Sequence, residues 1–101
     1  VVGYVQWFLE QNEGQNHSLY FINVPAPQYE KEHSADLNSE VARTVALFNA
    51  ALEKYTLQHS FDLVDVFKFT VGNERFSNGL FHVDNVHLGA KAIAEIEQQL
   101  N

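Results

Sequence analysis

The chain has 101 residues, 46% of them hydrophobic and 19% charged, and six Lys and Arg stand against thirteen Asp and Glu for a net charge of −7. That length supports one domain with a small core, and the composition argues against intrinsic disorder. A surface this acidic is repelled by phosphate backbones and anionic headgroups, and the absence of cysteine removes disulfides, thiolate zinc sites and thiol nucleophiles.

Val1 to Leu9 carries neither the basic region nor the small-residue cleavage site of a signal peptide, and it reads as an element entered part-way through. Residues 2–12 place Val5, Phe8, Leu9 and Asn12 on one side at helical spacing, with Gly14 as the stop. Leu19 to Val24 is a short, nearly continuous apolar run rich in aromatic and β-branched residues, which predicts a strand buried on both faces. Pro25 and Pro27 end it, since proline cannot donate to a ladder.

Ser34 or Asp36 is placed to cap the next helix, in which Leu37, Val41, Val45, Phe48, Leu52 and Tyr55 form one apolar stripe. Residues 61–66 predict a second strand. An irregular stretch follows through Gly72-Asn73 and Ser77-Asn78-Gly79, with Phe76 and Phe81 in exposed-looking positions. A last helix is expected over 88–100, with Ala92, Ile93, Ile96 and Leu100 inward.

This order is an α/β pattern with strands joined through a helix, hence parallel. Two strands of buried type make too narrow a sheet among three helices, so the topology is expected to be completed by upstream sequence or by another chain. No stretch reaches the ~20 apolar residues of a membrane span.

The segment that carries chemistry is residues 81–92, in which Asp84 and His87 sit three apart in a loop feeding a helix. A carboxylate so placed can reach the near ring nitrogen of an imidazole, fix its tautomer and stabilise the imidazolium. The far nitrogen is then left to take a proton from a hydroxyl. On spacing alone the same pair also suits a helix-capping turn with an incidental histidine. Position beyond the carboxyl end of a βα unit favours a ligand site.

The motif Asp84-x-x-His87-Leu88-Gly89-x-Lys91-Ala92 with its amphipathic C-terminal helix resembles the last conserved block of the SGNH (GDSL-type) hydrolases. The apolar strand entering Pro25-Ala26-Pro27, the long helix and the second strand with its Asp65-Val66 pair are similar to the segments before that block. The resemblance spans the chain but only the C-terminal half of the family's domain. It implies part of a three-layer α/β/α, flavodoxin-like parallel-sheet fold lacking its N-terminal strands, with Asp84 as orienting carboxylate and His87 as general base.

The family's Gly-Asp-Ser nucleophile block and its oxyanion glycine and asparagine have no counterpart here. Ser18, Ser34, Ser39, Ser60 and Ser77 all lack the Gly-Asp context, and Gly72-Asn73-Glu74 lies only twelve residues before Asp84, too late to be the asparagine block. The resemblance thus implies a fragment of a serine ester hydrolase or acyltransferase, inactive alone, acting on a small-molecule or carbohydrate acyl ester without cofactor or metal. Its partners would be the missing N-terminal half or a second copy.

Three further alternatives stand. His82-x-Asp84-x-x-His87 offers three ligand types to a divalent ion but no fourth, and His82 otherwise rims the pocket or the surface. Phe76, Leu80 and Phe81 either line an acyl pocket with His82 beside them, or pin an irregular loop to the core. In a reading of another class, the chain is a non-catalytic α/β module that dimerises through bare strand edges.

Overall fold

The structure, a computed structural model, describes residues 2–11, 20–84 and 87–100. It is a mixed α/β arrangement: α1 (Val2–Gln11), β1 (Tyr20–Ile22), α2 (Ala35–Gln58), β2 (Asp62–Val64), α3 (Val66–Thr70), a 3₁₀ turn (Asn73–Arg75) and α4 (Lys91–Leu100). β1 and β2 pair in parallel, with Phe21 opposite Leu63 and Ile22 opposite Val64. α2 is the crossover between them, as a parallel pair requires. Among the described residues no helix is long and apolar enough to cross a membrane.

Both strands are shorter than the sequence predicts, and for local reasons. β1 passes straight into the loop of Pro25 and Pro27. β2 stops at Val64 because Asp65 turns the chain: its side chain accepts the Lys68 N–H at 2.9 Å and caps α3. Val66 therefore opens a helix rather than closing a strand, a correction to the span 61–66. The expectation of a strand covered on both faces is also corrected, since Ile22 is 58% exposed and Tyr20 is exposed. On the opposite face Phe21 packs against Tyr55 of α2 and Phe61, with ring centroids 6.2 and 5.4 Å away. Leu19, Asn12 and Gly14 lie outside the described residues.

α2 begins where expected, with Ser34 Oγ accepting the Leu37 N–H at 3.1 Å. Its buried face is rotated by about one residue from the apolar stripe. Asn38, Ala42, Asn49, Leu52 and Thr56 point inward, whereas Leu37, Val41 and Phe48 are exposed. The asparagines win the interior because each serves a loop backbone. Asn38 accepts the Glu30 N–H at 3.1 Å and donates to its carbonyl at 2.9 Å. Asn49 does the same for Val24, at 2.9 and 2.8 Å. Buried loop amides without such partners would cost about 1–3 kcal/mol each, comparable to burying one more aliphatic side chain.

α4 starts three residues later than expected. Ala92 is buried and Ile96 half-buried as predicted, but Ile93 and Leu100 are exposed. Gln99, exposed, ties α4 to the end of β2, accepting the Asp65 N–H at 2.7 Å and donating to its carbonyl at 2.9 Å. α1 buries Val5 and half-buries Phe8, while Leu9 is exposed.

Candidate functional site

The loops that leave the carboxyl ends of the two strands are stitched to each other. The buried Asn23, one residue past β1, accepts the Val66 and Phe67 N–H groups at 2.7 and 3.1 Å through Oδ1 and donates to Asp65 Oδ1 at 2.9 Å. The Ala26 N–H, between the two prolines, donates to the fully buried Thr70 hydroxyl at 2.9 Å. The Pro27 carbonyl accepts the Ser77 N–H at 2.8 Å, and the Gln28 side-chain amide donates to the Asp84 carbonyl at 2.9 Å. The proline loop is thereby the bed on which the segment from Ser77 to Asp84 rests.

The segment carrying Asp84 and His87 closes on itself. His82 and Leu88 form an antiparallel bridge, the Val83 N–H donates to the His87 carbonyl at 3.0 Å, and the Gly89 N–H donates to the Phe81 carbonyl at 2.7 Å. A Cβ at Gly89 would sit 2.6 Å from Cγ1 of Val83, so a larger residue there requires the exposed Val83 side chain to move.

At the tip of this closed loop, one oxygen of Asp84 accepts the His87 backbone N–H at 2.7 Å and the other meets His87 Nδ1 at 2.8 Å. An ionised carboxylate only accepts, so Nδ1 carries the proton and Nε2 is left as the basic nitrogen. Both side chains are open to solvent, His87 at 73% and Asp84 at 54% exposure. The pair is therefore oriented but not desolvated. A pair so arranged has its tautomer fixed, and an imidazolium formed on it would be supported by the carboxylate, which is the arrangement a general base uses. No hydroxyl among the described residues hydrogen-bonds to the His87 ring.

The other candidate residues divide around this pair. His82 Nδ1 meets the Ser77 hydroxyl at 2.8 Å, and Ser77 Oγ also accepts the Gly79 N–H at 3.0 Å. Burial pushes the His82 imidazole below its ordinary value, against the pull of the nearby Asp84 carboxylate in the other direction. A neutral His82 can accept the Ser77 proton at Nδ1. Phe76 and Phe81 are half-buried, Phe76 meeting Tyr29 edge-on at 5.2 Å and Phe81 meeting Phe69 at 4.9 Å. Leu80 is 67% exposed. Among the described residues no three His, Asp or Glu side chains gather as a metal site.

The residues that sequence reasoning missed are Gln28 and Asn23, which tie the proline loop to the rest. Their one signal is polarity placed beside a strand end and its prolines. No known family model, curated protein or solved structure matches the chain.

Proposed function

We propose that this chain supplies the base and orienting carboxylate of a Ser-His-Asp ester hydrolase of the SGNH type, as part of its parallel-sheet fold. The observation that carries the reading is the two-point grip of Asp84 on His87, at backbone N–H and ring Nδ1. A capping turn alone would use the backbone contact; the second oxygen on the imidazole is what base catalysis requires. The reading is also supported by the Gln28 bond, which ties the Asp84 segment to the loop leaving the carboxyl end of β1, the end at which α/β sheets usually hold ligands.

In this mechanism a serine from outside these 101 residues gives its proton to His87 Nε2 and attacks the ester carbonyl. His87 then protonates the leaving alcohol, and water or another hydroxyl resolves the acyl-enzyme by the same relay. Asp84 stabilises the imidazolium in both steps. Phe81 and His82 belong to the closed loop that carries the pair, and with Phe76 and Leu80 they are the proposed substrate contacts. The substrate is a small-molecule or carbohydrate acyl ester.

The test is p-nitrophenyl acetate hydrolysis by the natural gene product. His87→Ala should lower the rate by about ten-thousandfold, with unchanged thermal unfolding. Full retained activity overturns the assignment.

A second reading is favoured by the open apolar groups of the sheet and crossover helix, Tyr20, Ile22, Leu37, Val41 and Phe48. In it the chain is an assembly module that pairs through these surfaces. Sedimentation distinguishes the two: a stable dimer without esterase activity selects the module.

A further inference from the structure

Only six basic side chains serve this acidic chain. Two of them, Arg43 on α2 and Arg75 in the 3₁₀ turn, line one concavity of about 520 Å³ completed by Ser39, Ala42, Glu74 and Phe76. Arg43 is held by Glu40 only loosely, at 3.3 Å, with both side chains more than half exposed. Arg75 takes part in none of the ion pairs among the described residues.

The backbone under Arg75 is unusual. Glu74 and Arg75 have φ of 55° and 72°, two consecutive non-glycine residues in the left-handed region. Such conformations persist only where the surroundings impose them, and they concentrate at ligand sites. Here the strained turn keeps a guanidinium at the pocket of a molecule whose overall charge is negative. The lining holds two guanidiniums and the Glu74 carboxylate, beside the hydroxyl of Ser39 and the ring of Phe76. Glu40 engages Arg43 from the helix surface, which leaves Arg75 as the guanidinium without an ion-pair partner among the described residues.

We infer that this concavity binds a small molecule bearing an oxyanion, phosphate or carboxylate, with an apolar part against Phe76. The planar guanidinium fork matches both anions with paired N–H donors, and Ser39 offers one more. Phe76 forms an apolar wall, braced from behind by its edge-on contact with Tyr29. The inference takes Phe76 as the wall of this concavity rather than as an acyl contact, and otherwise uses none of the residues of the hydrolase proposal.

The test uses the natural gene product, its thermal unfolding followed at constant ionic strength with inorganic phosphate, phenyl phosphate, acetate and benzoate. At least one oxyanion should raise Tm saturably, and the phenyl-bearing member of its pair should bind more tightly than the bare ion. Which pair responds assigns phosphate or carboxylate. Arg75→Gly should weaken binding about tenfold or more. It removes the guanidinium while relieving the left-handed backbone, so the free protein should be no less stable. Arg43→Gln, on an exposed helix surface, should weaken binding as well. The inference is overturned if no oxyanion exceeds chloride at equal ionic strength, or if Arg75→Gly binds as tightly as the wild type.

Discussion

The side-chain amide of Gln28 donates to the backbone carbonyl of Asp84 at 2.9 Å, across 56 residues of sequence. Through this bond the loop that ends β1 holds the loop that carries the Asp–His pair. Gln28→Ala should leave the fold intact and reduce ester hydrolysis by the natural gene product roughly two- to tenfold, the scale of one exposed hydrogen bond. An unchanged rate would show that the loop holds its place without the amide.

The protonated nitrogen of His87 can be read directly. With the Asp84 carboxylate at Nδ1, ¹⁵N spectra above the imidazole titration should show the Nδ1–H tautomer as the main form. Asp84→Asn should mix the tautomers and lower the hydrolysis rate by about ten-thousandfold, without a comparable loss of stability. A dominant Nε2–H form in the wild type would contradict the observed contact.

The rotated face of α2 makes a paired prediction. Asn49→Ala strips partners from both the N–H and the carbonyl of Val24, and should destabilise the chain by roughly 2–4 kcal/mol in urea unfolding with an unchanged slope. Phe48→Ala, one position away and 42% exposed, should cost less, about 1–2 kcal/mol. Equal losses would mean that the apolar stripe, not the asparagine row, is the buried one.

Stability should depend on pH through His82. Burial lowers its folded value below that of the unfolded chain, so below about pH 6.5 the unfolded state binds more protons. The contribution is present above that pH and is lost as pH falls towards the folded value. His82→Asn should flatten this part of the stability profile measured by chemical unfolding between pH 5 and 8. A profile that keeps its slope would remove His82 as the cause.

What could be read in the chain follows from how local each signal is. Asp84 and His87 needed only a spacing of three, and the structure joins them within that span. Ser34 announced α2 by its own cap. The buried face of α2 was hidden because hydropathy treats asparagine as a surface residue. Asn38 and Asn49 bury themselves on behalf of backbone groups that lie 8 and 25 residues away. α3 was hidden for a related reason: Val66, Phe67, Phe69 and Thr70 favour strands, and only the Asp65 cap with the Asn23 acceptor turns them into a helix. The concavity of Arg43 and Arg75 joins positions 32 residues apart and left no local pattern.

The shortness of the Asp84 loop has a consequence for how this protein can change. The carboxylate and imidazole find each other inside a seven-residue ring closed by His82 and Leu88, not across the sheet. Substitutions that loosen the helices will erode the fold before they shift the pair, so most sequence drift in the scaffold is filtered by stability rather than by chemistry. The carboxylate–imidazole contact itself is made within one short segment, so the two groups are inherited together, while the Gln28 amide decides where that segment sits.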